Sequence, residues 1–291
     1  MRTRPVTRAA AAVGATAVAV GGLLAAQALE ARRRIGPRTT TAPYADGRYG
    51  RGPGTSIRLA VLGDSGAAGL GAESPDDTMG AILATALAEV SGRIVTLSNH
   101  AVIGAQTGDL DPQIDRALWT RPHVAVIMVG ANDVTHLIPR ALSERRLRKA
   151  IRRLRDSGTE VVMATCPDLG TVKPVPQPLR TVMRRASRKL AAAQAEATLA
   201  EGGRPVSLGS RLGPEFDDRP DVMFAEDRFH PSTDGYAAAA QALLPEVIAA
   251  WRLGSEGEIL PALVDEPDRG GLDEPDRGGL ADPPGHSDFT R

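Results

Sequence analysis

Four short segments of the sequence carry the residue types that acyl transfer through a serine nucleophile requires. They are Gly63-Asp64-Ser65, Gly104, Gly130-Ala131-Asn132-Asp133 and Asp227-Arg228-Phe229-His230. Ser65 is a candidate nucleophile, His230 a candidate base, and Asp227 the acid that orients the base. The Asn132 amide and the Gly104 N–H are candidate donors to a developing oxyanion. Each segment alone is compatible with a simple turn, but together and in this order they predict ester hydrolysis.

The candidate groups follow segments that have the composition of buried strands. Ser65 comes just after the apolar run Ile57–Leu62, and Asn132 follows a second apolar run, His123–Val129. Because ligands bind at the carboxyl ends of parallel strands, both side chains are expected at one edge of a sheet. Asp227 precedes His230 by three residues, which lets the carboxylate reach the imidazole within one turn.

Strand and helix patterns alternate through the middle of the chain. Order is expected to begin at Ile57, and the closing helix is expected over Gly235–Trp251. Alternating strands and helices predict one α/β domain built on a parallel sheet of about five strands. The other strands are expected at 93–97, 160–165 and 205–208, and the other helices at 78–90, from Ser143, and at 179–201.

Several other classes of site are excluded by details of the sequence. The glycines after Ser65 have the spacing of a phosphate-binding loop, but Ala72 stands where that loop needs lysine. A Gly-x-Ser-x-Gly elbow is absent from the sequence. The segment between the charged ends is nearly neutral, which argues against nucleic-acid binding. No metal or other cofactor is expected, because the remaining histidines have no ligand spacing; these are His100, His123, His136 and His286.

The four segments, in this order, resemble the SGNH hydrolases, also called GDSL esterases, over roughly residues 57–252. Within that family the chain is most similar to exported actinobacterial esterases, through Cys166-Pro167-Asp168-Leu169-Gly170 and Asp227-Arg228-Phe229-His230-Pro231. The resemblance implies a three-layer, flavodoxin-like α/β/α fold. The chain departs from the family at one position, where Gly66 replaces a leucine that is common there. This change is expected to loosen the loop without removing a catalytic group.

The same resemblance implies a role for each candidate residue. Ser65 would be the nucleophile, His230 the general base and Asp227 its partner. The oxyanion hole would consist of the N–H groups of Ser65 and Gly104 and the side-chain amide of Asn132. Three further residues are candidates for substrate contact, namely Asp64, His100 and Asp168. The walls of the pocket are expected from loops such as Pro167–Pro178.

The predicted function is hydrolysis of a small-molecule or lipid ester with a short-to-medium acyl chain. The same site would also suit a lipase, a thioesterase or a deacetylase of cell-envelope glycans. A different class of protein remains open, namely a non-catalytic module that binds acylated or anionic ligands. The sequence predicts no oligomeric state.

The two ends of the chain differ in composition from the hydrolase domain predicted over residues 57–253. Residues 1–29 contain an uncharged run from Ala9 to Leu29 behind three arginines, which predicts export through a signal peptide or a retained signal anchor. Membrane association is therefore expected through residues 9–29, and the enzyme is expected to be secreted or anchored in the cell envelope. Residues 30–56 are predicted to be a flexible linker. Residues 254–291 are predicted to be a disordered acidic tail that contains one octapeptide twice.

Two features outside the motifs have alternative interpretations. Predicted helices with basic stretches at 145–155 and 180–189 are either solvated outer faces or surfaces that rest on anionic lipid. Cys166, the single cysteine, is either a small buried hydrophobe or a reactive thiol at a strand end.

Overall fold

Within the residues that the structure describes, four central strands and two three-residue edge strands form one six-stranded sheet. The computed structural model describes the backbone of residues 4–35 and 41–255 and the side chains of residues 19–35 and 41–254. The spatial order of the strands is β1-β3-β2-β4-β5-β6, and every neighbouring pair is parallel except β1 with β3. The strands are β1 (Gly47–Tyr49), β2 (Ile57–Gly63), β3 (Val95–Asn99), β4 (Val124–Met128), β5 (Glu160–Ala164) and β6 (Arg204–Val206).

Helices cover both faces of this sheet, which confirms the predicted three-layer α/β/α fold. Helices α3 and α10 pack on one face, whereas α4, α6 and α7 pack on the other. The helices of the domain are α2 (Ser65–Ala68), α3 (Met79–Ser91), α4 (Leu110–Leu118), α5 (Ala131–Thr135), α6 (Arg140–Asp156), α7 (Leu179–Ala200), α8 (Leu208–Asp218), α9 (Pro220–Met223) and α10 (Thr233–Ser255).

The central strands are apolar on both sides because both sides are covered. Successive residues of β2 alternate between the two cores, with Leu59 in the α3/α10 layer and Ala60 in the opposite layer. All five residues of β4 are buried. Small side chains at many helix positions let the helices lie close to the sheet, so a chain with few aromatic residues still builds a dense core.

The prediction of a flexible linker over residues 30–56 is wrong in two places. Residues 30–35 continue the N-terminal helix, and β1 adds an antiparallel strand to the edge of the sheet. The Asp46 carboxylate accepts a hydrogen bond from the Asn99 N–H at 2.8 Å, and Ala45 is buried. A strand of three residues is held by backbone hydrogen bonds, which any sequence can form. The Gly-rich composition of this segment therefore did not indicate β1. The domain therefore begins before Ile57.

The N-terminal helix α1 (Arg4–Ile35) covers most of the predicted export segment. In its C-terminal part, most of the buried or half-buried side chains recur at helical spacing, and they are Leu24, Gln27, Ala28, Glu30, Ala31 and Ile35. Leu23 and Leu29, on the other faces, are exposed. Of the helices in the described ranges, none is both long and apolar enough to cross a membrane. Residues 1–3 of the predicted leader and residues 256–291 of the predicted acidic tail lie outside the described residues.

The basic residues of α6 are largely paired with acids on neighbouring helices. Arg153 contacts Asp111 and Asp115 of α4 at 2.7 and 2.6 Å. Arg148 and Arg152 both contact Glu201, at the end of α7. These contacts are partly exposed and contribute little stability each. They nevertheless neutralise much of the charge of this face, which favours the solvated-face interpretation over binding to anionic lipid.

Candidate active site

Ser65 lies at a sharp turn between β2 and α2. Gly63 ends the strand with φ +141°, and a Cβ at this position would lie 1.8 Å from the Met128 carbonyl oxygen, so only glycine fits. The Asp64 carboxylate then caps α2 by accepting the Gly66 N–H at 3.0 Å. Ser65 is the first residue of α2 and is 5% exposed. The turn thus places a nearly buried hydroxyl at the carboxyl edge of the sheet.

Two further side chains complete a Ser-His-Asp arrangement. The His230 Nε2 atom lies 3.0 Å from Ser65 Oγ, and His230 Nδ1 lies 2.5 Å from Asp227 Oδ2. Asp227 Oδ1 accepts the backbone N–H groups of Phe229 and His230, both at 2.9 Å. The carboxylate is therefore held by three donors, and its second oxygen is directed at the imidazole. This geometry suits a base that takes the serine proton and an acid that fixes its tautomer.

The pKa of the Asp227 carboxyl lies below its ordinary value. Burial acts to raise that pKa, but the hydrogen bond with His230 and the two backbone N–H donors together lower it by more than burial raises it. Asp227 is consequently ionised throughout the neutral range. A negative charge next to Nδ1 stabilises the imidazolium that forms when His230 accepts a proton.

A short hairpin-like turn fixes this pair against the rest of the domain. Phe224 and Pro231 form an antiparallel bridge, and the Ala225 N–H donates to the His230 carbonyl oxygen at 2.9 Å. Arg228, between the acid and the base, has a left-handed φ of +56°. This conformation, which is rare for a residue other than glycine, lets the chain reverse within the Asp-x-x-His segment.

The three predicted oxyanion donors, Ser65, Gly104 and Asn132, follow β2, β3 and β4, whose carboxyl ends share one edge of the sheet. Across the described part of the chain, the N–H groups of Ser65 and Gly104 have no hydrogen-bond acceptor. The Val102 N–H donates to the Gly63 carbonyl oxygen, and the Asn132 side-chain amide donates to the Ala105 carbonyl oxygen at 3.0 Å. These contacts join the loop at 102–105 to the end of β2 and to α5. One N–H of the Asn132 amide remains for a ligand.

Asp133 links α5 to α6 and to the turn that follows the Gly104 loop. Its carboxylate accepts the Ser143 hydroxyl at 2.6 Å and the Thr107 N–H at 3.0 Å, and the side chain is 1% exposed. Asn132 itself lies in the first turn of α5, after Gly130, which has φ +134°. The two neighbouring residues thus have different roles. Asp133 holds the surrounding backbone in place, whereas the Asn132 amide lies next to the Gly104 loop.

Two buried glutamines also support the strand ends, and neither was predicted from the sequence. The Gln113 amide accepts the Gly63 N–H at 2.7 Å and donates to the Gly63 carbonyl oxygen at 2.9 Å. The Gln194 amide likewise accepts the Cys166 N–H and donates to the Val129 carbonyl oxygen. The available signal was a single polar residue on the apolar face of an amphipathic helix, as with Gln113 beside Leu110 and Ile114 in α4.

An apolar cavity of about 110 Å³ opens next to Ser65 and His230. Its walls come from the loop after β5, from α8, and from the segment around the Asp-x-x-His motif. The Pro167–Pro178 loop, expected to provide walls, contributes residues up to Val172. The larger apolar side chains that line the cavity include Met128, Leu169, Val172, Leu208, Leu212, Phe216, Phe224 and Phe229.

The three additional candidates for substrate contact have different positions. Asp64 lines the cavity but uses its carboxylate to cap α2. Asp168 also lines the cavity, and its nearly inaccessible carboxylate binds the Gly170 N–H, Arg184 and Arg188. His100 is half-buried and is not among the residues that line the cavity; burial lowers its pKa, and Asp46 partly offsets this effect.

Cys166 lies at the end of β5 with 1% of its surface exposed and is unpaired. Burial raises the pKa of its thiol, and the nearby carboxylates of Asp64, Asp133 and Asp168 raise it further. A thiol in this state is a poor nucleophile, which supports the interpretation as a small buried hydrophobe. Among the described residues, no group of three or more histidine, cysteine or acidic side chains is arranged to hold a metal ion.

Asn132→Ala is expected to lower kcat for ester hydrolysis by about 10²- to 10³-fold, with little change in KM. The reason is that an oxyanion donor acts mainly in the transition state, where the negative charge develops. Steady-state kinetics on a chromogenic ester measure both constants. Thr135→Ala, an exposed change in the same helix, is the matched control and is expected to leave kcat unchanged. A loss confined to KM would contradict the oxyanion role of Asn132.

Comparison with known proteins identifies similar sequences and folds. Residues 61–238 match the model of the GDSL-like lipase/acylhydrolase family. GDSL-like esterase Rv1075c of Mycobacterium tuberculosis is 40% identical over 247 residues, which cover 81% of this chain and 79% of that protein.

Similar structures include Axe2, an acetyl-xylooligosaccharide esterase from Geobacillus stearothermophilus, with a TM-score of 0.52 and 19% identity over 68% of this chain and 96% of Axe2. They also include TesA, with a TM-score of 0.52 and 20% identity over 66% of this chain and 99% of TesA. At this level of identity, the two structures support the fold alone.

Proposed function

Because this chain belongs to the GDSL-like lipase/acylhydrolase family and is a carboxylic ester hydrolase, we propose a specific reaction for it. The enzyme cleaves esters of short-to-medium acyl chains through an acyl-enzyme formed on Ser65. The observation that carries the proposal is the apolar cavity that adjoins the Ser65 hydroxyl and the His230 imidazole. An acyl chain that occupies this cavity lies next to the nucleophile, because Ser65 and His230 are among the residues that line it.

The acylation step follows from the hydrogen-bond geometry. Ser65 Oγ attacks the ester carbonyl carbon while its proton passes to His230 Nε2, 3.0 Å away. The carbonyl π electrons move to oxygen, and the resulting oxyanion is stabilised by the N–H groups of Ser65 and Gly104 and the Asn132 amide. When the tetrahedral intermediate collapses, the C–O bond to the alcohol breaks and the leaving oxygen takes the proton from His230.

Deacylation repeats these steps with water as the nucleophile. His230 Nε2 accepts a proton from water as the water oxygen attacks the acyl carbon, and it then returns the proton to Ser65 Oγ as the acid leaves. Asp227 remains ionised during both steps and holds Nδ1 as the protonated nitrogen. In this scheme, every proton is accepted and then donated by His230 Nε2.

Acyl-chain length should determine the rate until the cavity is filled. Each methylene moved from water into an apolar site contributes about 0.8 kcal/mol, which corresponds to roughly a fourfold gain in kcat/KM. The test is hydrolysis of p-nitrophenyl esters of increasing chain length by the full chain, together with acetylated glycans. We expect a maximum at a short-to-medium chain; activity on glycan acetates alone would instead favour a deacetylase.

A serine-reactive fluorophosphonate probe tests whether the site is active at all. Stoichiometric labelling that is lost in Ser65→Ala is the expected result, because only an activated serine reacts with the probe. A folded protein that takes up no probe would refute the acyl-enzyme proposal. That outcome would leave the non-catalytic ligand-binding module as the better interpretation.

We also propose that the chain is exported and stays with the membrane through residues 9–29. The support is compositional, since this run contains no charged residue and arginines flank it on both sides. Fractionation of cells that express the full-length chain is the test. Retention in the membrane fraction after a salt wash is expected. Recovery of a soluble form that begins at Leu29, directly after the candidate cleavage site Ala26-Gln27-Ala28, would show cleavage.

A further inference from the structure

The C-terminal part of α1, which includes the last residues of the predicted export segment, packs against side chains that line the acyl cavity. In α1, one stripe of side chains is buried or half-buried while its neighbours are exposed. This stripe includes Gln27, Ala31 and Ile35, which are separated by one helical turn each. A helix that buries a single narrow stripe is docked on that face, so α1 has a defined partner surface in the domain.

Gln27 forms the polar part of this contact. Its side-chain amide donates to the Gln177 carbonyl oxygen at 2.5 Å and accepts the Leu179 N–H at 3.0 Å. Leu179 is the first residue of α7, where backbone N–H groups have no partner within their own helix. Gln27 therefore caps α7 and fixes the loop that precedes it. That loop runs from the strand end after β5 and carries one wall of the cavity.

Ala31 and Ile35 form the apolar part. Ala31 is 6% exposed and belongs to one cluster with Val172, Val175 and Phe224, against which Ile35 and Phe229 also pack. Val172, Phe224 and Phe229 line the acyl cavity as well. No residue of α1 is among those that line the cavity in the described part of the chain. The helix therefore forms a second layer that supports the lining side chains from behind.

We propose that the Gln27–Ile35 segment of α1 positions this wall and so sets the acyl-chain selectivity of the enzyme. The inference rests on the proposed function, because it requires the acyl chain to occupy the cavity. Close-packed neighbours hold side chains in single rotamers. Without the second layer, the side chains of the wall would adopt several rotamers and water would enter behind them. A long acyl chain depends on contact with that wall, whereas an acetyl group contacts only the atoms next to Ser65.

The test compares two glutamate substitutions on the same helix of the full-length protein, solubilised under identical conditions. Ala31→Glu places a charge in the buried contact, and Leu29→Glu places the same charge at a position that is 58% exposed. The readout is the ratio of kcat/KM for p-nitrophenyl octanoate to that for p-nitrophenyl acetate. For Ala31→Glu, we expect this ratio to fall about tenfold, the equivalent of losing between one and two methylene contacts, with acetate hydrolysis within twofold of wild type.

Gln27→Ala provides a second, milder variant that adds no charge. It removes the cap of α7 and leaves the apolar contact intact, so the ratio is expected to fall about threefold. Leu29→Glu is expected to leave the ratio at the wild-type value. Thermal unfolding of each variant shows whether the domain is folded, and if Ala31→Glu fails to fold, Gln27→Ala decides the matter.

Two results would overturn the inference. One is an unchanged octanoate-to-acetate ratio in the folded variants, and the other is an equal loss of activity on both esters, which indicates general damage. Failure of the proposed function gives a different result, because wild-type hydrolysis would then be absent or would persist in Ser65→Ala. The two failures are therefore separable in one set of assays.

Discussion

Ser65→Ala is expected to lower kcat for hydrolysis of a p-nitrophenyl ester by about 10⁴- to 10⁶-fold. The substitution removes the proposed nucleophile, while the proposed oxyanion donors and the apolar cavity remain. Residual activity would come from bound water that those donors assist. The measurement is kcat under saturating substrate, together with the amount of probe-labelled protein.

Two further variants make this expectation specific. Ser91→Ala, at the end of α3 where the hydroxyl contacts the Ala88 carbonyl oxygen and the Arg93 N–H, is the matched control and should be as active as wild type. The double variant Ser65→Ala/His230→Ala should be no slower than Ser65→Ala alone, because residues that act as one unit are not additive. A multiplicative loss in the double variant would mean that His230 acts in a separate step from Ser65.

Asp227→Asn is expected to lower kcat by about 10³- to 10⁴-fold at neutral pH, because it reverses the tautomer of His230. Asp227 Oδ1 accepts two backbone N–H groups, so the amide oxygen of asparagine will keep that position. The amide NH₂ group then faces Nδ1, which has to act as an acceptor, and the proton moves to Nε2. An imidazole protonated at Nε2 cannot accept the proton of Ser65.

The direction of the Asp227 pKa gives a second readout for the same variant. A carboxyl whose pKa is lower in the folded than in the unfolded state stabilises the fold above the unfolded value, and this contribution is lost as pH falls through the folded value. The ordinary value is 3.8, so the difference in thermal midpoint between wild type and Asp227→Asn should shrink below about pH 4. Asp221→Asn, an exposed change on α9, is the control. A difference that is constant down to pH 2 would contradict the lowered pKa.

The sequence alone was sufficient for the family, the layered fold and the residues that the structure brings together. This succeeded for Ser65 and Asn132 because their segments follow buried parallel strands, whose carboxyl ends lie at one edge of the sheet, and for Asp227 and His230 because their spacing keeps them within one turn. Ser65, His230 and Asp227 are therefore predictable as neighbours from the order of short segments. The family comparison confirms the resemblance that these segments suggested.

Features that depend on contacts distant in the sequence could not be predicted in the same way. Strand β1 has no hydrophobic pattern of its own and exists because the backbone of β3 is available for pairing. Gln113 is an ordinary polar residue until the fold places it against Gly63. The docking of α1 depends on Gln27, which is 150 residues away from its acceptor Gln177. Composition predicts an export segment there but contains no information about its partner surface.

The two edges of the sheet have a consequence for the behaviour of the protein at high concentration. The outer strands β1 and β6 are only three residues long, and Pro205 in β6 has no N–H to donate. A neighbouring copy could extend either edge by only a few hydrogen bonds, far fewer than a stable added strand requires. The long central strands, which would polymerise readily if they were exposed, are thus terminated on both sides by short ones. The protein should therefore resist edge-to-edge aggregation even when it is crowded on a surface.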